Sequence, residues 1–308
     1  MARRQPGLPD LTDRVAVVTG AASGIGRALV QGLWSRGCHV AAVDTDAAGL
    51  AELHDELAAS GRPQRVSCHV ADVSDRARML RLPTEVTAAH GAVHLLVNNA
   101  GVSHEAAFAQ TDLEDFDRLI GINLWGVIHG CHAFLPWLAK ADRAYIVNLS
   151  SMLGLVAMAG QTAYGTSKFA VRGFSEALAE ELRATSIGVT LVHPGAIATD
   201  IMRRSTGDDP ELLQRLTRWY QRHAMPPARA AARIIRAVER GTPRLLIGPE
   251  TILGDLLRRV LPVTGNRIMV DAIIRVLGVE DMRAKRIARW RETMLDEPAG
   301  PDGSAVGS

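Results

Sequence analysis

The chain has 308 residues, 47% hydrophobic and 22% charged, which is ordinary usage for a folded domain and excludes disorder over most of its length. A net charge of +2 excludes the strongly basic surface that nucleic acid would require. Three cysteines, Cys38, Cys68 and Cys131, stand far apart without a C-x-x-C pair, which excludes a disulfide framework or zinc site and reads as small buried hydrophobes in a reducing compartment. Arg3 and Arg4 are followed by Pro6, Gly7 and Pro9 instead of an apolar run, so no secretory signal is read there. No stretch approaches the roughly 18 uninterrupted apolar residues of a membrane span. A cytoplasmic location is expected.

Short β-branched runs alternate with longer amphipathic stretches. Residues 15–19 read as a buried strand ending at Gly20, and a helix is expected over 24–36, with Ile25, Leu29 and Leu33 on one face. A strand over 39–43 ends on Asp44, and an Ala/Leu/Glu-rich helix runs to about Ser60 before Gly61 and Pro63. The rhythm repeats: strand 65–70, helix 75–89, strand 93–97, helical stretches near 112–123 and 124–140, strand 144–148, helix 161–184 and strand 189–192. Such spacing implies right-handed crossovers and a parallel sheet covered on both faces, the doubly wound α/β class.

After the first strand, Gly20, Ser23, Gly24, Ile25 and Gly26 fall in a turn that opens straight into a helix. Gly20 permits the tight turn, Gly24 lets the backbone approach a pyrophosphate, and Gly26 allows close packing of helix on sheet. The helix N-terminus offers unpaired N–H groups to an anion. Asp44 ends the second strand, where a carboxylate accepts hydrogen bonds from ribose hydroxyls, and Asp72-Val73 ends the third, beside an adenine. Taken singly, either acid also fits a helix N-cap or a turn. Together with the glycine cradle they read as a nucleotide crevice.

The fourth strand ends in Asn98-Asn99-Ala100-Gly101 and the fifth in Asn148-Leu149-Ser150-Ser151. Tyr164 follows, with Lys168 four residues on, so the phenol and ammonium share one helical face. A free tyrosine titrates near pH ~10, and a nearby ammonium favours its phenolate. A serine hydroxyl can steady a substrate oxygen as charge develops on it. Ser151 is chosen over Ser150 by its spacing from Tyr164.

With these segments in order, together with HPGAIAT at 193–199, the sequence resembles the short-chain dehydrogenase/reductase family from residue 12 to about 200, and more loosely to about 248. The resemblance implies a Rossmann fold and hydride transfer between a nicotinamide and an alcohol/carbonyl pair. It implies Tyr164 as proton donor and acceptor, and Ser151 as the residue orienting the substrate oxygen. Lys168 would bind the nicotinamide ribose and tune Tyr164, and Asn123 would hold a proton-relay water. Asn99, Ala100 and Gly101 would contact the dinucleotide, and Pro194, Gly195, Ile197 and Thr199 would flank the nicotinamide. His193 reads as a packing residue. The rival reading is a nucleotide-sensing protein on the same fold that has lost its chemistry.

Asp44 occupies the place of a 2′-phosphate, and Ser23 and Thr45 stand where the family's NADP-preferring members place cations; NAD is preferred, with NADP the alternative. Leu212, Leu213, Leu216, Trp219 and Tyr220 form an amphipathic stripe, read either as a lid over a hydrophobic substrate or as simple packing on the domain. The catalytic domain is placed at 1–248, a helical extension at 249–297 and a disordered tail at 298–308. In the extension, Leu253, Leu256, Leu257, Val260 and Leu261 form one stripe, and Ile268, Met269, Ala272, Ile273, Val276 and Leu277 another. Residues 251–295 hold nine Lys/Arg against five Asp/Glu. Capping of the domain or contact in a homo-oligomer (dimer or tetramer) ranks above peripheral membrane contact.

Overall fold

A computed structural model describes residues 5–201 and 205–281, with single positions at 285, 288 and 291. The expected tail at 298–308, and the basic run after Met282 apart from position 285 and two other single positions, lie outside the described residues. The strands in chain order are β1 (Val15–Thr19), β2 (His39–Asp44), β3 (Val66–Val70), β4 (Leu95–Asn98), β5 (His104–Glu105), β6 (Ala144–Leu149), β7 (Ile187–Pro194), β8 (Thr206–Gly207) and β9 (Arg244–Ile247). Seven of them form one parallel sheet in the order β3-β2-β1-β4-β6-β7-β9, while β5 and β8 pair only with each other.

The strands are apolar runs because both faces of the sheet are covered. Alternation within β1 shows this directly: Ala16 and Val18 belong to one core with Leu29, Leu33, Leu53 and Ile234. Val15 and Val17 belong to the opposite core with Met79, Phe134, Val171 and Leu178. The first face is covered by α1 (Gly24–Trp34), α2 (Ala47–Ala58) and α8 (Pro227–Arg240); the second by α3 (Arg76–His90), α5 (Gly126–Leu138) and α6 (Thr162–Glu181). Asp46 caps α2 and Asp75 caps α3, so neither Asp44 nor Asp72 serves as a helix cap.

Strand order reverses between β1 and β4, which opens a crevice at the carboxyl ends of the strands. The two stretches expected near 112–140 form one helical run: α4 (Leu113–Ile120), a π-helical turn (Gly121–Trp125) and α5. This run is long and apolar enough to cross a membrane by length and composition alone, and half of its most apolar stretch is buried within the fold. Beyond β7 come α7 (Pro210–His223), α8, β9, α9 (Pro249–Val260) and α10 (Thr264–Leu277). Cys38 and Cys131 are buried as expected, but Cys68 is exposed. It sits on edge strand β3, which has a neighbour on one side only, so burial there is incomplete.

Candidate active site

The turn after β1 needs left-handed backbone at Gly20 (φ 66°) and Gly24 (φ 56°), which favours glycine at both. At Gly26 space is the constraint: a Cβ would stand 1.9 Å from the Gly20 carbonyl oxygen and 2.6 Å from Asn99 Nδ2. That amide in turn donates to the Thr19 and Gly20 carbonyls at 2.8 and 3.2 Å, tying the end of β4 to the cradle. Ser23 sits at the N-cap of α1 without a capping hydrogen bond, so its side chain leaves the first-turn amides open to a ligand. A cavity of about 310 Å³ runs past Gly20, Ser23, Gly24 and Ile25 to Asp44, Asp72 and Val73, and to Asn99, Ala100, Gly101 and Thr199. Asp44 accepts from the Ala22 and Asp46 amides at 2.9 and 3.1 Å. Asp72 is a turn residue as well as a cleft residue, accepting from Ser74 N and Oγ. A glycine-walled floor, open helix amides and two strand-end carboxylates suit a dinucleotide.

A second cavity, about 340 Å³, adjoins the first through the shared residues Ile25, Thr199 and Ile201, and contains Ser151, Tyr164 and Lys168. Lys168 lies one turn after Tyr164 on α6, with Nζ 5.7 Å from the phenol ring centre and donating to the Leu149 carbonyl at 3.1 Å. Burial draws its ammonium down to about 8. The phenol of Tyr164 is shifted upward instead: burial dominates, and a hydrogen bond with Ser151 opposes it. The expectation of a lowered phenol rests on Lys168 together with the charge of a bound oxidised nicotinamide; in the protein alone, desolvation of the phenolate outweighs the other influences. Ser150 points elsewhere, donating to the Lys168 carbonyl at 2.8 Å. His193 is fully buried, with Nδ1 2.9 Å from the Ser151 carbonyl oxygen, and burial lowers it to about 4. A neutral ring donates there and holds the serine's backbone in place.

Asn123 lies in the π-helical turn, a distortion frequent at functional sites. Its side chain is fully engaged: Oδ1 accepts from Val102 N at 2.9 Å, and Nδ2 donates to Val102 O and Ser167 Oγ at 2.9 and 3.1 Å. A Cβ on Gly101 would lie 3.1 Å from Asn123 Oδ1 and 3.4 Å from Lys168 Nζ, so these three residues meet at one point. Pro194, Gly195, Ile197 and Thr199 line this second cavity.

Several cavity residues carry no motif. Glu105 and Gln161 are buried and hydrogen bonded to each other. Tyr220 belongs to the α7 stripe, and burial raises its phenol, with the charge of Tyr164 adding to the effect. Glu250, in the first turn of α9, accepts from the Ala196 amide at 3.0 Å, and a Cβ on Gly195 would overlap it. Gln161, three residues before Tyr164, and Tyr220, in the amphipathic stripe, had a positional signal; Glu105 and Glu250 had none. The remaining wall is apolar and includes Met152, Met158 and Met269, with Ile273 and Leu277 from α10.

The extension thus forms one wall of the cavity. Asn266 pairs with both the N–H and C=O of Ala157 at 2.9 Å, in the loop after Ser151. Arg244 makes a two-pronged ion pair with Asp255, fastening α9 to β9. The α7 stripe divides: Leu212 and Leu216 pack against Ile274, Leu277 and Val279, while Leu216, Trp219 and Tyr220 reach the cavity.

A doubly wound parallel sheet, a glycine cradle at its switch point and a Ser–Tyr–Lys set beside it define a dinucleotide-dependent oxidoreductase. The short chain dehydrogenase family matches residues 14–210, and the chain belongs to that family. It is 36% identical over 269 residues to SadH of Mycobacterium tuberculosis H37Rv, named as an oxidoreductase, covering 85% of this chain and 96% of SadH. It is 34% identical to the D-threitol dehydrogenase of Mycolicibacterium smegmatis, over 74% of this chain and 86% of that protein. Among solved structures, a short chain dehydrogenase/reductase from Burkholderia phymatum in complex with NAD superposes with a TM-score of 0.76 at 29% identity, over 82% of this chain and 95% of that one. A 3-ketoacyl-(acyl-carrier-protein) reductase from Brucella melitensis complexed with NADH superposes with a TM-score of 0.67 at 25% identity, over 77% and 96%.

Proposed function

We propose that this oxidoreductase interconverts a secondary alcohol and a ketone, or a primary alcohol and an aldehyde, on a largely hydrophobic molecule, with NAD(H) as cofactor. The observation that carries the proposal is the meeting of Ser151, Tyr164 and Lys168 in an apolar cavity adjoining the dinucleotide cleft. The bound nicotinamide would supply or accept the hydride. Ser151 hydrogen bonds the substrate oxygen, and Tyr164 gives that oxygen a proton in reduction or takes it in oxidation. Lys168 sits behind the phenol and offers its ammonium to a ribose hydroxyl. Asn123 braces Val102 and Ser167, so its contribution through the side chain is to hold Lys168's surroundings. Gly20, Ser23, Gly24, Ile25 and Gly26 receive the pyrophosphate, Asp44 the adenosine ribose, and Asp72-Val73 the adenine.

NAD is favoured because Asp44 stands at the ribose end and, among the described residues, no Lys or Arg lines that cleft. The NAD and NADH complexes of the two solved relatives agree with this reading. Reduction of a panel of aliphatic and cyclic ketones, followed at the NADH absorbance band, tests the proposal. Tyr164→Phe should keep NADH affinity and lose turnover by ~10²-fold or more. A Tyr164→Phe protein with near-normal turnover refutes the assignment, and a wild type that binds NADH but turns over nothing favours the nucleotide-sensing alternative.

A further inference from the structure

The two stripes of the extension do not have the same neighbours. Leu257, Met269, Val270 and Ile273 turn inward against Leu155 and Val156. Leu253, Leu256 and Val260, spaced one turn apart on α9, remain exposed, and so do Leu261 and Val263 in the turn that follows. The hairpin tip from Val260 to Val263 is therefore four consecutive apolar residues facing outward, with Val260 67% and Val263 74% exposed.

Between Asp255 and Asp271 the charge has one sign in sequence. Residues 256–270 contain Arg258, Arg259 and Arg267 and no acid. Arg259 pairs with Asp255, but Arg258 and Arg267 have no carboxylate partner among the described residues. The exposed stripe also leads somewhere. Leu253, at its near end, and Val276 of α10 line the catalytic cavity while each is about half exposed or more. The cavity thus opens onto the same apolar face, roughly 10 Å along α9 from the tip at 1.5 Å per residue.

We propose that the α9–α10 hairpin docks on an anionic lipid surface, with Val260, Leu261, Pro262 and Val263 in the acyl boundary and Arg258, Arg259 and Arg267 against the headgroups. Apolar side chains bracketed by Arg258 and Arg267, which have no carboxylate partner among the described residues, match such a surface. A second copy of the chain fits less well, since a twofold contact through this face sets the same arginines against one another. If the proposed dehydrogenase reading holds, the mouth at Leu253 and Val276 faces the bilayer, and a lipophilic alcohol enters without crossing water.

The test needs neither substrate nor cofactor, so its failure and that of the catalytic reading are separable. The full chain is sedimented with vesicles of phosphatidylcholine alone and with one third phosphatidylglycerol, and its mass in solution is measured by light scattering. Binding to the anionic vesicles should exceed binding to neutral ones by at least tenfold and fall with salt. Val260→Asp/Val263→Asp, at exposed positions, should keep the thermal midpoint and lose at least tenfold in vesicle affinity. Arg258→Gln/Arg267→Gln should lose it by roughly 25-fold, at about fivefold per cation held at the surface. No vesicle binding by the wild type, or equal binding to both compositions, overturns the proposal. So does a wild-type dimer that the Asp variant turns into monomer, which would assign the face to a second copy.

Discussion

Gly26→Ala is the most discriminating change in the dinucleotide cleft, because the obstacle is backbone. The new methyl would lie 1.9 Å from the Gly20 carbonyl oxygen and 2.7 Å from its carbon, where ordinary contact begins at 3.4 Å. The cradle or the start of α1 must therefore give way by about 1.5 Å. A 2.9 Å amide–phosphate hydrogen bond opened by that amount passes well beyond bonding range. Losing one charge-assisted bond of roughly 1.5–3 kcal/mol corresponds to a rise of about 10- to 150-fold in the Kd for NADH. Overpacking adds about 1–3 kcal/mol of destabilisation, or roughly 2–10 °C in Tm for a chain of this size. Gly173→Ala is the control: it lies on the exposed side of α6 with nothing within 4 Å, and should stabilise by about 0.5–1 kcal/mol with unchanged Kd. Fluorescence titration of NADH and a thermal melt on the three proteins decide the matter. A Gly26→Ala protein within twofold of wild-type affinity, with an unshifted melt, would refute the role given to this contact.

Lys168 titrates at about 8 in the fold against 10.5 ordinarily, so between those values the unfolded chain binds more protons and stability rises with pH. Lys168→Met should abolish that rise in the urea midpoint and gain up to about 3 kcal/mol at pH 7, while losing turnover. Asp44→Ala/Thr45→Arg should move the ratio of kcat/KM from NADH toward NADPH; because Asp44 also holds the Ala22 amide, overall efficiency should fall too. A wild type that already prefers NADPH would show the ribose end to be misread. Asn266→Ala removes two hydrogen bonds to Ala157, worth about 1–2 kcal/mol together. It should raise KM with little change in kcat, and equal losses in both would place Asn266 in the reacting geometry.

Most of the sheet was legible because parallel strands buried on both faces are uninterrupted apolar runs, as in β1 and β6. β9 was not: Arg244–Ile247 is short, largely half-buried and at the sheet's edge. α8 was passed over although Pro227 at its start and Gly241 at its end mark it clearly. The β5–β8 pairing joins residues a hundred positions apart, and no local pattern announces it. Glycines and the Tyr–Lys spacing are constraints of backbone and helix geometry, which a sequence records directly. Tyr220 was legible as part of the α7 stripe, whereas Glu105 and Glu250 reach the cavity only because two distant segments fold over it. The opposing shift of Tyr164 was hidden for a related reason, since burial of a phenol is a property of everything packed around it.

The methionines of the cavity have a consequence for selectivity. Met152 and Met158 come from the connection between β6 and α6 and Met269 from α10, and an unbranched thioether refits around ligands of different outline at small cost. A rigid apolar wall penalises one missing methylene by about 1–3 kcal/mol. Along a homologous series of ketones, this enzyme should show a shallow, broad optimum in kcat/KM instead of a sharp one. The half-buried thioethers of Met152 and Met158 can also meet peroxide, and their sulfoxides would roughen and polarise the wall, so tolerance toward substrates and susceptibility to oxidants share one origin.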